Sequence, residues 1–410
     1  MNILVVNWTW YPSGGEWTYV DNLVNLYQKK GHVVIPFSMK DERNLPTVYS
    51  QYFIENIDYK KIKRSSITAG FKVVTKSIYS VEAERNLERL LDKVHIDIAH
   101  LSSIHHYITP VILKVLKKRN IRIIWTLHEY TPICPESTFV SHDEICERCF
   151  GGAFYNCITH TCKKASVLAS TVAATENYVH KYLNYYRYTD HYICPSQFVY
   201  NKFKAFNFFP EKLSQLYNPF DYTLIDQIKA TQISVPEKYI VFVGRLEKIK
   251  GVGTILKAMT LCPDIKLKII GDGSQEHELK AFAAANQLAN VTFTGKLNKT
   301  QTLELINGSS FLVCSSEWYE VLGYIVVEAM GFGKPVIGSA IGAIPEMVIN
   351  NETGLLYEPK NHVQLAQKIN ELYGNEEAQK HMGANAGKHI RQLISAENHF
   401  EGLKKLIPQL

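Results

Sequence analysis

The chain has 410 residues, 46% of them apolar and 20% charged, with eight cysteines and a net charge of +6. That length is too great for a single core and predicts two domains, and the composition excludes a disordered or fibrous chain. No apolar window is long enough to span a membrane, and the start "MNILVVNWTWYPSGGE" has no basic leader, so a cytoplasmic protein is expected.

Charge is unevenly placed. Residues 1–218 carry 26 Lys and Arg against 19 Asp and Glu, and the remainder carries 19 against 20. The first-half excess suggests an anionic partner, such as a phospholipid surface or a phosphate-bearing acceptor. A solvated basic face is the alternative.

In chain order, "NILVV" predicts a short buried strand, and "WTYVDNLVNLYQKKGH" a helix that ends at Gly31. The strands "HVVIPFS", "IDIAHLSS", "IRIIWTLHEYTP" and "HYICPSQF" follow, with the helical "ITPVILKVLKKRN" between the second and third. "LYNPFDY", with Asn218 and Pro219, reads as a linker. The alternation then restarts through "YIVFVGRL", "GVGTILKAM", "KLKIIGDGS", "EHELKAFAAANQL", "NVTFTG", "KTQTLELING", "FLVCSS" and "KPVIGSAIGAIPEMV". Two successive rounds of strand and helix predict two Rossmann-like α/β domains with parallel sheets. Ligands in such sheets collect at the carboxyl ends of strands.

Candidate site residues lie at those ends. "YPSGGEWTYV" offers Gly14 and Gly15 for close backbone approach at a helix start, although a plain tight turn is equally consistent. "WTLHEYTP" ends a strand with His128, a catalytic candidate or a structural histidine. Five cysteines crowd residues 134–162, and Cys146, Cys149, Cys157 and Cys162 could close a structural zinc site, with free thiols as the alternative. "VFVGRLEKIKGVG" puts Arg245 after a strand and Lys250 before a helix start, two cations suited to phosphate.

"EWYEVLGYIVVEAMGFGKPVI" sets Glu320 and Glu328 eight residues apart in an apolar run. On a continuous helix they would stand roughly 12 Å apart and address two parts of one elongated ligand. A buried ion pair with a lysine is the bland alternative for Glu328. There is no D-x-D pair, so no metal held by one is indicated, and Arg245, Lys250 and helix ends must supply positive charge.

The segments "GRLEKIKG", "GDG", "FTGKL", "CSSEWYEVLGYIVVEAMGFGKPVI", "GAIPEMV" and "NETGLLYEP" occur in one order. Together they resemble the donor domain of the retaining family 4 (group 1) glycosyltransferases, which have the GT-B fold with a ligand cleft between two domains. The first half resembles their acceptor domain more loosely, and the resemblance is weakest over residues 40–95. It implies an acceptor domain over 1–216 with a Cys-rich insertion at 134–162, a donor domain over 217–394, and a final helix at about 395–410 packing back on the first domain. It implies hexosyl transfer from a UDP-hexose, with UDP-glucose first, to a lipid-linked or polysaccharide hydroxyl. The setting would be envelope, exopolysaccharide or glycolipid synthesis.

In that family's E-x7-E motif, Glu328 would hold the ribose hydroxyls and Glu320 the sugar end. Arg245 and Lys250 would grip the diphosphate. Gly295 and Leu297 would read the base, and His128 would touch the donor sugar. Gly14, Gly15, Gly244, Gly271, Leu322, Gly323 and Tyr324 complete the implied donor contacts. Val321 and Leu322 stand where the family usually has a small residue and an aromatic, which opens the sugar preference. Without a D-x-D pair no cofactor is expected for catalysis; the basic N-terminal half suggests peripheral contact with an anionic membrane on the cytosolic face, and no nucleic acid is expected. A sugar-nucleotide epimerase or phosphorylase of the same fold is the near alternative. A zinc-stabilised, non-catalytic sugar-nucleotide or nucleic-acid-binding protein is the distant one.

Overall fold

The computed structural model describes residues 1–56, 76, 78–231 and 237–410. Part of the first-half basic excess, at Lys60, Lys61, Lys63, Arg64 and Lys72, lies outside the described residues. The chain divides into two compact units, Met1–Pro219 with His399–Leu410, and Phe220–Asn398.

The first unit contains β1 (Asn2–Val6), β2 (Val33–Phe37), β3 (Ile98–Leu101), β4 (Arg122–Thr126), the short pair β5 (Val140–Ser141) and β6 (Glu144–Ile145), β7 (His191–Cys194) and β8 (Leu213–Gln215). Its main sheet has the order β2-β1-β3-β4-β7-β8, with every recorded pair parallel. Parallel pairing needs crossovers, and the crossover helices cover both faces. That is why β1 and β4 are apolar almost without alternation and are buried at four of five positions. The last helix, Ala396–Leu406, joins this unit through His399, whose Nδ1 lies 2.7 Å from the Tyr217 carbonyl oxygen.

The second unit contains β9 (Ile240–Val243), β10 (Leu267–Ile270), β11 (Val291–Gly295), β12 (Leu312–Cys314), β13 (Val336–Ser339) and β14 (Gly354–Tyr357). The order is β11-β10-β9-β12-β13-β14, again parallel. Its core gathers Ile240, Phe242, Ile255, Leu267, Phe311 and Ile369. β11 lies at the sheet edge and is only partly buried, which accounts for its threonines.

Helix starts are fixed locally. Asn298 caps helix Lys299–Gly308, accepting from the Gln301 amide while the Gln301 side chain accepts from the Asn298 amide. Ser166 caps helix Val167–Leu183, which ends at Asn184 in the left-handed region, φ 51°.

Both sheets reverse direction of winding once, between β1 and β3 in the first unit and between β9 and β12 in the second. At such a reversal the neighbouring loops part and leave a crevice at the strand carboxyl ends. The loops after β1, β3, β9 and β12 are therefore where side chains can surround a ligand.

Candidate active site

In the second unit the loop after β9 carries Gly244 and Arg245 and runs into a 3-10 turn, Lys248–Lys250. Gly251 then adopts φ 67° and starts helix Val252–Met259. A Cβ there would sit 2.0 Å from the Ser315 carbonyl oxygen, so the close approach of the β9 and β12 loops requires glycine. The Ser315 hydroxyl donates to the Lys250 carbonyl at 2.7 Å, and the Glu317 amide to Ile249 at 2.8 Å. These bonds hold Lys250 over the loop that bears Glu320.

Lys250 and Glu320 form an ion pair through Nζ and Oε1. The same Oε1 accepts from the Ser316 hydroxyl at 2.6 Å and the Trp318 indole at 2.9 Å. The Lys250 ammonium lies 5.1 Å from the Trp318 ring centre, a cation–π distance. Burial alone would raise the Glu320 carboxyl. The Lys250 charge and the hydrogen bonds from Lys250, Ser316 and Trp318 outweigh it and hold the group below the usual carboxylate range.

Glu320 is not on the helix that the spacing suggested. That helix is Tyr324–Gly331, and Gly323 starts it at φ 88°. Residues 315–323 form the loop after β12, so the distance estimated for a continuous helix does not apply. The glycine breaks what would otherwise be one apolar helix. Glu320 is fixed instead by Gly342, at φ 61°, where a Cβ would lie 2.3 Å from the Glu320 nitrogen, and by the Ala343 amide, which donates to its carbonyl at 2.9 Å.

Glu328 lies on that helix, buried, and pairs with Lys299 at the start of helix Lys299–Gly308. Both acids therefore pair with lysines, as the bland reading of Glu328 allowed. Arg245 is exposed and makes no ion pair or hydrogen bond among the described residues. Gly244, Gly271 and Gly295 close three adjacent strand ends: the Gly244 amide donates to Ile270 at 3.0 Å and the Gly271 amide to Gly295 at 2.9 Å. A Cβ on Gly271 would sit 1.9 Å from the Gly244 carbonyl oxygen. Leu297 follows, half-buried; Leu322 is buried, and Tyr324 opens the Glu328 helix.

The reading of residue types overlooked Lys299, Ser316, Trp318 and Gly342. Trp318 and Ser316 flank Glu320 in "SSEWYE" and were legible as local donors. Lys299 and Gly342 are remote in sequence and gave no signal.

In the first unit Gly14 caps helix Gly15–Lys29 with φ 125° and ψ −155°, and nothing lies within 4 Å of a Cβ built there. His128 follows β4. Its Nδ1 is 3.0 Å from the Ser102 hydroxyl, its Nε2 is 3.3 Å from Asn218 Oδ1, and its ring centre is 4.2 Å from that of Tyr19. Burial lowers the imidazole to about 4, so it is neutral at pH 7. Nε2–H then donates to Asn218 and Nδ1 accepts from Ser102. The Asn218 Nδ2 is buried without a partner.

Around this unit's own winding reversal, the Trp8 indole donates to Glu16 at 2.9 Å, and the Trp8 and Tyr107 rings stack at 5.1 Å. Burial pushes the Glu16 carboxyl up to about 7; the Trp8 bond opposes the rise and the nearby Glu129 charge adds to it. Glu129 goes the other way. Burial would raise it, but His105 at 2.6 Å, with His106 and the Thr131 hydroxyl, brings it down to about 2. Glu16 was missed because a lone acid after a glycine pair looks like an ordinary helix-start residue.

All eight cysteines are free thiols. Cys149 and Cys157 pack with Phe154 and Ala174, and Cys162 lies against that cluster, while Cys146 is half-buried outside it. Among the described residues no three His, Cys, Asp or Glu side chains are grouped to hold a metal ion. No helix among them is long and apolar enough to cross a membrane.

Two family models cover the chain: Glycosyltransferase Family 4 over residues 13–224, and Glycosyl transferases group 1 over 225–389. The fold recurs in sucrose-phosphate synthase from Thermosynechococcus elongatus, with a TM-score of 0.74 at 18% identity over 100% of this chain and 98% of that one. It recurs also in HepE of Anabaena, solved with UDP and glucose, with a TM-score of 0.68 at 17% identity over the whole of both chains. These are GT-B glycosyltransferases, and the two parallel sheets described above are that architecture.

The chain belongs to glycosyltransferase family 4. An uncharacterized glycosyltransferase of Methanocaldococcus jannaschii is 34% identical over 169 residues, 41% of this chain. The chain spans about half of that relative, 47% of its length. The N-acetyl-alpha-D-glucosaminyl L-malate synthase of Bacillus anthracis is 22% identical over 400 residues, 96% of this chain and 94% of that protein.

Proposed function

We infer that the protein is a retaining hexosyltransferase that uses a nucleotide sugar. The observation that carries this is the pairing of Lys250 with Glu320 at the winding reversal of the second sheet, with Glu328 buried on the next helix. A diphosphate brings more negative charge than one carboxylate and competes for Lys250, and the exposed Arg245 is available to the same anion. The three donors to Glu320 meet at Oε1, so Oε2 keeps its capacity to accept from sugar hydroxyls. Glu328 accepts from the ribose hydroxyls.

In this reading the bond from the anomeric carbon to the diphosphate oxygen breaks as positive charge grows on the sugar ring. The acceptor oxygen bonds to that carbon on the same face, and its proton passes to the departing diphosphate. Arg245, Lys250 and the amides after Gly323 stabilise the leaving group, with no bound metal ion needed. Preorganised contacts of this kind are worth on the order of 10²–10³ in turnover each. His128, neutral and oriented by Ser102 and Asn218, is the hydrogen-bonding group that the family resemblance assigns to the donor sugar.

UDP-glucose is the first choice of donor, supported by the UDP and UDP-glucose held by the HepE neighbour, and GDP-mannose is second. The acceptor is a hydroxyl of a lipid-linked or polysaccharide intermediate. A thermal-shift panel of nucleotide sugars tests the donor: a ligand at 100 times its dissociation constant stabilises by about 2.7 kcal/mol. Equal shifts from every nucleotide, or none from any, overturn the assignment.

A further inference from the structure

Half of the exposed large apolar side chains among the described residues fall between 145 and 182, seven of fourteen in less than a tenth of the chain. Leu168, Tyr178 and Tyr182 of these lie on one helix, and Tyr155 is hydrogen-bonded to it. On helix Val167–Leu183 the exposed positions Leu168, Thr171, Thr175, Tyr178 and Tyr182 recur at intervals of three and four, which makes a stripe along one face. Leu168 is 76% exposed and Tyr182 is 89% exposed. The opposite face buries Ala173, Ala174, Glu176 and Asn177 in the unit, so the stripe is not a core face turned outward.

The Cys-rich segment widens the stripe. The Tyr155 amide donates to the Tyr178 hydroxyl at 3.1 Å, and Lys181 Nζ reaches the Gly151 carbonyl at 3.4 Å. Exposed Tyr155 therefore adjoins Tyr178, and exposed Phe150, whose ring also meets Phe206 at 5.0 Å, precedes the Gly151 that Lys181 reaches. From Leu168 to Tyr182 the helix runs roughly 21 Å.

The charges suit one kind of partner. Arg148, Lys164 and Lys181 are exposed within the segment. Of its acids, Glu147 is bridged to Lys202 at 2.6 Å, and Glu176 is buried against His106 at 2.7 Å. The exposed acids nearest in sequence, Asp143 and Glu144, stand on the β5–β6 hairpin that precedes it. Tyrosine is the side chain that gathers at the boundary between hydrocarbon and headgroup, and lysine extends its ammonium from there to phosphate. A row of three tyrosines and a leucine flanked by lysines fits that boundary.

We propose that this face, the outer stripe of helix Val167–Leu183 with Phe150 and Tyr155, docks on an anionic phospholipid surface. It lies flat and does not span. The surface stands on its own exposure and charge, so a soluble acceptor for the transfer reaction would leave it in place.

The test is co-sedimentation of the full chain with phosphatidylcholine vesicles, with and without phosphatidylglycerol. Wild type is expected to sediment with the anionic vesicles and to be released by salt. The double variant Leu168→Glu with Tyr182→Glu is expected to lose at least about tenfold in partition. Leu261→Glu, on an exposed apolar residue of the other unit, is expected to keep it. The UDP-induced thermal shift, measured in all three, reports folding and the donor site separately. Absence of wild-type binding, equal binding to neutral vesicles, or equal loss in Leu261→Glu overturns the proposal. So does a wild-type dimer in light scattering that the double variant abolishes, because a second copy would then be the occupant.

Discussion

Lys250 and Glu320, seventy residues apart in sequence, close an ion pair that the Ser316 hydroxyl and the Trp318 indole complete on the same carboxylate oxygen. The pair couples stability to activity. Sequence reasoning alone would expect Lys250→Ala to abolish transfer and leave folding intact. With the pair present, the substitution leaves a buried carboxylate without its countercharge. Unfolding should then lose about 3 kcal/mol, read by denaturant titration, and turnover should fall at least about 100-fold. Adding Glu320→Gln should restore most of the stability and none of the turnover. Wild-type turnover in Lys250→Ala would remove this lysine from the reaction.

Glu328 pairs with Lys299, whose side chain is 48% exposed, so the cation can swing away when a ligand arrives. Glu328→Gln removes a charged acceptor from the ribose hydroxyls. Its donor KM should rise roughly 10- to 100-fold, the range for a hydrogen bond to a charged group, with a smaller change in kcat. Steady-state kinetics at saturating acceptor measures the split, and an unchanged KM would place the ribose elsewhere.

Gly342 sits at φ 61° against the Glu320 backbone. Gly342→Ala strains its own backbone and pushes a methyl into the Glu320 nitrogen. Turnover should fall at least about tenfold, because misplacing a reacting group by about 1 Å costs up to about 100-fold. Circular dichroism should show the fold retained. A variant with normal turnover would mean that Lys250, Ser316, Trp318 and the Ala343 amide position Glu320 without help from Gly342.

The Glu16 carboxyl is raised from 4.5 to about 7. The folded chain then holds a proton that the unfolded chain releases near 4.5. Stability contributed by this group is full below pH 4.5 and is lost as pH rises through 7, by at most about 3 kcal/mol. Glu16→Gln should flatten that part of the stability profile and be the more stable protein at pH 8, as thermal melts across pH would show. A parallel decline in the variant would refute the assignment.

If Arg245, Lys250 and helix amides carry the leaving-group charge, EDTA should leave the transfer rate within about twofold of its starting value. A loss restored by a divalent ion would show that a metal shares the task.

Much of this was legible along the chain because parallel sheets covered on both faces need near-continuous apolar strands and helical crossovers. Runs such as "NILVV" and "YIVFVGRL" state that directly. Arg245, Lys250 and His128 were legible as polar residues at strand ends. The course of residues 317–323 was not. The apolar pattern favours helix there, and the close contact with Gly342, a long-range steric fact, holds it as a loop.

The alternation of strands and helices and the two-unit plan were determined by the sequence itself, because periodicity, glycine and charge act over a few neighbours; helix Val167–Leu183 and the β5–β6 hairpin were not read there. Which lysine meets which glutamate was decided only by the tertiary structure. Lys250 reaches Glu320 because Gly251 lets the β9 loop touch the β12 loop, and Lys299 reaches Glu328 because two helices pack side by side. Local preference carries no information about such distant pairs. They exist only once the sheet has set its strands in order.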